Sequence, residues 1–309
     1  MNEPTIDFTD PRHMVDLFDE AARLLLASPH RQGCVVRLPA RGHLLATGDL
    51  HDNIFNLAKI LKLARLEAST DRHVILHELI HGENLINGKD FSHRMLGRVA
   101  ELVLKYPVQV HPLLANHELS QLTGRGVSKG GGNSVALFVD ALEYVFDVDA
   151  GEVGEAIGRF IRAMPLALTS ESGVLCAHSL PTARAVDAGK FDPEILSRDL
   201  VNEDYHYPDG NAYLMVWGRT HGKALYEKLA KAWGVKLFIL GHQHVETGIE
   251  IKSVAPGHAP GHAPGGESGV DVIVLNSDHE YAMTLPIDLA NPPHAEEALM
   301  MAMPLASVG

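Results

Sequence analysis

Residues 13–28 place Met14, Val15, Leu17, Phe18, Ala21, Leu24 and Leu25 at helical spacing with acids on the other side, which predicts an amphipathic helix. The period then changes. A short apolar run at 34–38 leads into a second at 43–47, which stops at Gly48 and presents Asp49 and His51 two positions apart. Runs of this length bounded by Gly and Asp read as buried strands ending in loops. From residue 53 the helical spacing returns through Ile54, Leu57, Ile60, Leu61 and Ala64, with Asp52 or Asn53 placed to cap it.

The alternation continues down the chain. A strand at 73–76 ends in His77, Glu78, Leu79, Ile80, His81 and Gly82. A helix at 91–105, through Met95, Leu96, Val99, Leu102 and Val103, precedes a strand at 108–114 that ends in Asn116, His117 and Glu118. Residues 134–163 read as helix broken near 149–151, and the strand at 173–177 ends at His178. A helix at 222–233 precedes the strand 236–240, which ends in Gly241, His242, Gln243 and His244. A sixth strand, 270–275, ends in Asn276, Ser277, Asp278 and His279.

Strands alternating with helices predict the α/β class, with βαβ units and helical layers around a largely parallel core. In such sheets ligands collect beyond the carboxyl ends of the strands, which is where the His, Asp, Glu and Asn residues of this chain stand. Two segments break the pattern. Residues 254–268 carry a Pro- and Gly-rich repeat read as a mobile insertion, with His258 and His262 as solvated residues. The Met- and Ala-rich tail 294–309 is expected to cap the domain, meet a second subunit or fray. The rest is expected to be a single domain over 1–309.

Composition narrows the function classes. The chain is 46% hydrophobic and 21% charged over 309 residues, ordinary globular values. A net charge of −13 argues against a broad basic face for a nucleic-acid backbone. Two cysteines, Cys34 and Cys176, are too few for a disulfide framework and fit packing in strands within a reducing compartment. The first residues lack a basic segment followed by an apolar core, and no apolar run reaches the roughly 20 residues that cross a bilayer, so a cytoplasmic protein is expected. Oligomeric state is not readable. The unusual count is 19 histidines, and their position at strand ends carries the argument. His13, His30, His43, His93, His111, His206, His279 and His294 fall outside that pattern and read as structural or surface residues.

A carboxylate and an imidazole two positions apart at a strand end suit a borderline divalent cation, although Gly-Asp and Asp-Asn are also ordinary turn chemistry. The arrangement recurs. The clusters Gly48-Asp49-Leu50-His51, His77 to Gly82, Asn116-His117-Glu118, Ala177-His178 and Gly241-His242-Gln243-His244, in this order, resemble the motifs of the metallophosphoesterase (calcineurin-like phosphoesterase) superfamily. Within it they look most similar to the serine/threonine phosphoprotein phosphatase branch. The resemblance spans residues 44–244. It implies a four-layer fold, a β-sandwich of mixed sheets flanked by helices, which the strand–helix pattern alone does not separate from an open doubly wound sheet.

The resemblance also implies a ligand set. Asp49, His51 and His244 would hold one metal, Asn116, His178 and His242 a second, and Glu78 would bridge them. Two dications roughly 3.5–4 Å apart need such an anionic bridge, and together they clamp a phosphoryl group and acidify a water. Nitrogen and oxygen ligands without thiolate favour Mn, Fe, Zn or Co. The histidine matching His117 acts in the family as general acid toward the leaving-group oxygen. Arg219 is the first candidate for the cation that meets the phosphoryl group, and Arg125 in a Gly-rich loop is the second.

The second cluster departs from the family. The bridging aspartate becomes Glu78, the acid that orients the catalytic histidine becomes His81, and the phosphate-binding arginine becomes Gly82. His81 could stand in as a hydrogen-bond acceptor, serve as an extra ligand or mark a weaker catalyst, and Glu83 is near enough in sequence to replace the acid. The first motif ends in Asp52 where the family has glycine. The leading expectation is a two-metal phosphoesterase in which a metal-activated hydroxide attacks phosphorus in line. Its substrate would be a phosphorylated protein or a small phosphoester. The alternative is a catalytically reduced family member that binds metal and acts as a scaffold. A metal-free hydrolase using Ser179 is weaker, because Ala177-His178-Ser179 lacks the Gly-x-Ser-x-Gly elbow.

Overall fold

In the computed structural model, which describes residues 6–125, 128–129, 132–255 and 269–309, Leu44, Leu45 and Ala46 of the strand His43–Thr47 are all buried. Leu44 and Ala46 point into one apolar cluster and Leu45 into another. The same division by alternate residues holds elsewhere. Ile239 and Cys176 join the first cluster, and Phe238, Leu240 and Leu175 the second. A strand covered on both faces has no polar face to keep, which is why these segments read as continuous apolar runs.

The first cluster lies between two sheets. One sheet has seven strands in the order Arg31–Gln32, Val35–Leu38, Ala167–Ser170, Val174–Ala177, Leu237–Leu240, Asp271–Leu275 and Ile249–Ser253. The other has five, in the order Met303–Pro304, Met283–Asp288, His43–Thr47, Arg72–His77 and Val110–Leu113. Both are mixed. Val174–Ala177, Leu237–Leu240 and Asp271–Leu275 run parallel, while Ile249–Ser253 closes the edge of the seven-stranded sheet antiparallel and Met283–Asp288 pairs antiparallel with His43–Thr47. The second cluster fills the space under the helices Pro11–Leu26, His93–Lys105 and Ala150–Ala163. Helix, sheet, sheet and helix therefore stack as four layers, the architecture expected from the resemblance.

The pairing register brings the strand ends together. Leu240 pairs with Ala177, so His178 and Gly241 leave the sheet side by side. Asp49 forms bridges both to His77 at the end of Arg72–His77 and to Asn276 at the end of Asp271–Leu275. It thus ties the two sheets together at the edge where the polar clusters emerge. Of the tail, Ala295–Met301 is helical, with Ala295 and Ala298 buried in the inter-sheet cluster, and Met303–Pro304 adds an edge strand. Most of the expected insertion, residues 256–268 with His258 and His262, lies outside the described residues.

His93 shows how firmly this core holds neutral imidazole. It is fully buried, with its ring against Phe138 and Phe146, and neither ring nitrogen has a hydrogen-bond partner. Burial, with Arg94 adding to it, lowers its pKa to about 4. A depressed histidine pKa makes the unfolded chain bind more protons between the two values, so the stability His93 contributes is present above about pH 6.5 and lost as pH falls toward 4. His93→Phe is expected to remove about 2 kcal/mol of the stability loss between pH 7 and pH 5. Urea titrations of chelator-treated protein at the two pH values measure it, and equal losses in wild type and variant would refute it.

Candidate metal centre

The backbone itself is unusual where the clusters meet. His51, Asp52, Glu78, His81 and His242 have φ of 43°, 59°, 49°, 61° and 63°, a region that non-glycine residues seldom adopt and that gathers at functional sites. The loops are wound tightly enough to aim successive side chains at one point. At Gly241 a Cβ would strike the Asp49 carboxylate and the His77 ring, so only glycine fits there. At Gly82 a Cβ would strike the His51 carbonyl. That contact explains the absence of the family's arginine from this position: the chain passes too close to His51 to carry a side chain.

Side chains from the different strand ends converge on His178. Its Nε2 lies 2.6 Å from Asn116 Oδ1, 2.9 Å from His242 Nδ1 and 3.5 Å from Glu78 Oε2. Glu78 also reaches His117 Nε2 through Oε1 at 3.5 Å and His51 Nε2 through Oε2 at 3.7 Å. Asp49 accepts the His242 backbone N–H at 3.0 Å through both oxygens and lies 3.4 Å from His178 Nδ1. Three overlapping groups have ligand atoms all within 4.8 Å of one another: Asp49, His77 and His178; His51, Glu78 and His117; Glu78, His178 and His242.

The electrostatics fit a cation. Burial lowers the His178 pKa to about 4, and burial together with His178 and Arg219 lowers that of His242 to about 2, so both imidazoles keep a bare nitrogen. Burial pushes the Asp49 carboxyl up, but His178 and His77 beside it outweigh that and hold it well below the usual carboxylate range. Neutral His178 and His242, the Asn116 amide oxygen and the ionised Asp49 carboxylate therefore gather their lone pairs in one small space. Buried His242 Nε2 has no hydrogen-bond partner. A donor set of this kind, oxygen and nitrogen without thiolate, matches Mn, Fe or Zn.

His77, which the sequence pattern offered only as the residue before Glu78, stands inside this cluster. Its Nε2–H donates to the Thr47 carbonyl at 2.8 Å, which leaves the lone pair on Nδ1. That nitrogen lies 3.1 Å from His178 Nδ1, close enough to accept its proton and keep His178 Nε2 bare toward Asn116, Glu78 and His242. His77→Phe is expected to weaken Mn²⁺ binding about 10–100-fold, the usual cost of losing such an outer partner. His77→Asn, with an oxygen at the Nδ1 position, should recover part of it. Calorimetric titration of apo protein reads this directly, and a Phe variant that binds as wild type would reduce His77 to a space-filler.

Two more acids, outside the expected ligand set, stand at the site. Asp278, from the loop after Asp271–Leu275, brings Oδ2 to 3.7 Å from His51 Nε2. Buried Asp90 accepts from His81 Nδ1 at 2.6 Å, and the His81 ring stands 5.4 Å from that of His117. Glu83 is exposed, so the acid in this neighbourhood is Asp90. His117 sits at the start of the helix Asn116–Thr123, with Nδ1 3.4 Å from the Ile80 carbonyl and Nε2 toward Glu78. Buried Glu118 accepts from the backbone N–H groups of Leu79 and Ile80 and pins the Glu78 loop.

Not every expected residue converges. His244 is exposed, its ring 5.9 Å from that of His279, and belongs to none of the three groups found among the described residues. Arg219 Nη1 donates to the His242 carbonyl at 2.8 Å, which places the guanidinium beside the cluster. Arg125 lies 3.5 Å over the Tyr207 ring. Ser179 is buried and gives its proton to the Gly218 carbonyl at 2.5 Å, a bond that commits the hydroxyl away from nucleophilic work.

A four-layer sandwich with buried histidines and carboxylates at its strand ends is the frame of a metal-dependent phosphoester hydrolase. The chain belongs to the calcineurin-like phosphoesterase family, whose model matches residues 42–246. No curated protein matches it. Among solved structures it is similar to a protein serine/threonine phosphatase of Saccharomyces cerevisiae described as similar to human phosphatase PP5, at 11% identity and a TM-score of 0.62, over 90% of this chain and 83% of that one. It is also similar to a cold-active protein-tyrosine phosphatase of a psychrophilic Shewanella, at 14% identity and a TM-score of 0.50, over 87% and 80%. At such identities the likeness concerns the fold. Among the described residues no helix is long and apolar enough to cross a membrane.

Proposed function

We propose that this protein hydrolyses phosphate monoesters at a two-cation centre carried by one domain spanning residues 1–309. The observation that carries this reading is the set of lone pairs turned on one another around His178 and Glu78. Asn116, His178 and His242 would hold one cation, Asp49 and His51 the other, and Glu78 both. His244 completes the second set in the family pattern, while in this chain Asp278 stands beside His51. Bound there, two dications supply positive charge to the phosphoryl oxygens and acidify a water.

The chain's own residues do the rest. Arg219, held by the His242 carbonyl, meets the phosphoryl oxygens from the rim. His117 keeps Nδ1 on the Ile80 carbonyl and offers a proton at Nε2 to the departing oxygen. Neutral His178 and His242 are ready ligands at pH 7, because their lowered pKa values spare them a proton to lose first. A phosphoprotein substrate is supported by the likeness to two protein phosphatases, one acting on serine/threonine and one on tyrosine.

The test joins elemental analysis to turnover. Protein purified with Mn²⁺ should carry about two metals per chain and cleave phosphomonoesters, and a chelator should abolish both. Two metals with no turnover on any ester would favour a scaffold instead. No metal uptake would end the reading altogether.

A further inference from the structure

We infer that the cleft between the helices Asn116–Thr123 and Asn211–Trp217 is a subsite for an aromatic leaving group, so that the preferred substrates are phosphoesters carrying a ring next to the ester oxygen. The inference rests on the phosphoesterase reading above.

One wall is the helix that begins with Asn116 and His117. Ser120 is four residues beyond Asn116 and three beyond His117, so it lies on the next turn below both. Thr123 continues that face by another turn, about 10 Å along the axis from Asn116. A cavity of about 200 Å³ opens along this face. That is under the roughly 300–1,000 Å³ of pockets for drug-sized ligands, and suits a single ring rather than a folded peptide. Its near end is where a group leaving from the Asn116–His117 corner would go.

The other wall is aromatic. Tyr213 and Trp217, one turn apart, stack with centroids 5.8 Å apart, and Tyr207 stands edge-on to Tyr213 at 5.3 Å. The ladder starts at the metal centre, because the Trp217 ring is 6.2 Å from that of His242. It ends at the surface, where Arg125 lies over Tyr207 and braces it. Tyr207 is half exposed, and neither it nor Tyr213 is sealed in the core. Rings lined up from a metal ligand to the surface, facing Leu119, Ser120 and Thr123, give a narrow slot walled by aromatic faces and edged by hydroxyls. Aromatic rings settle there edge-to-face or offset, and a serine-like leaving group gains nothing.

Tyr213→Ala removes the middle rung, and Thr123→Phe fills the slot from the opposite wall. In Mn²⁺-loaded full-length protein, kcat/KM is compared for phenyl phosphate and phosphoethanolamine, and inhibition for phenylphosphonate and methylphosphonate. Either variant is expected to lower kcat/KM for phenyl phosphate and weaken phenylphosphonate about tenfold, with phosphoethanolamine and methylphosphonate within twofold. Parallel losses on both substrates, or none on either, would overturn the subsite. So would a wild-type preference for phosphoserine over phosphotyrosine. If no ester is cleaved at all, the catalytic reading fails. Quenching of tryptophan fluorescence by phenylphosphonate but not methylphosphonate then still tests the cleft, and equal responses would refute it.

Discussion

His117→Asn is expected to lower kcat roughly 10²–10⁴-fold on alkyl phosphates, the range that general acid catalysis supplies. On 4-nitrophenyl phosphate the loss should be far smaller, because a good leaving group departs without a proton. This contrast separates proton donation from positioning. A residue that only held Glu78 in place, 3.5 Å from His117 Nε2, would harm both substrates alike. Metal content should stay at wild-type level, since the proposed ligand set does not include His117, whose Nδ1 faces the Ile80 carbonyl. Equal losses on the two esters, or a variant as active as wild type, would remove His117 from the acid role.

The environment of His117 also shows how the chain has rebuilt a damaged motif. The family's acid is missing, yet an acid is present one step out: Asp90 holds His81, and the His81 ring lies against that of His117. Asp90 is nine residues from His81 and enters from the segment before His93–Lys105. Sequence offered Glu83 because it is adjacent, but side chains in a loop are sorted by where the backbone turns. With φ of 61° at His81, the chain swings away and leaves Glu83 in solvent. Gly82 follows the same logic, as a position dictated by the His51 carbonyl.

Much of the rest was legible for one reason. Strands buried on both faces must be apolar throughout, so their ends are sharp, and the polar residue after each end is conspicuous. Gly48-Asp49, Ala177-His178 and Gly241-His242 were therefore found from pattern alone. The strands themselves fell within a residue or two of Arg72–His77, Val174–Ala177 and Leu237–Leu240. The pattern cannot announce which sheet a strand joins. The division into a sandwich depends on non-local pairings such as Met283–Asp288 against His43–Thr47. Edge strands such as Ile249–Ser253, exposed on alternate residues, are too short and polar to stand out. His77 stood in the second cluster without a role, because only the third dimension shows its ring beside His178. His244 illustrates the opposite failure, a motif residue whose loop turns it outward.

Glu78 is the residue whose loss should cost most. Among the described residues, its two oxygens are the only carboxylate atoms placed against His51, His117 and His178 together, at 3.5–3.7 Å. Glu78→Gln keeps the shape but removes the charge that two adjacent dications require. Metal content is expected to fall to one per chain or fewer, and turnover at least about 10³-fold. Glu78→Asp is the sharper variant, because it restores the family's residue. If the carboxylate alone mattered, aspartate would serve. In this chain φ of 49° at Glu78 and the pinning of the next two amides by Glu118 fix the backbone, so the shorter side chain cannot move in to compensate. Glu78→Asp is therefore expected to lose metal affinity by at least about tenfold, the scale at which misplaced metal-site geometry is felt. An aspartate variant that binds two metals as tightly as wild type would show that the loop yields, and that the extra methylene is not what sets the distance between the histidines.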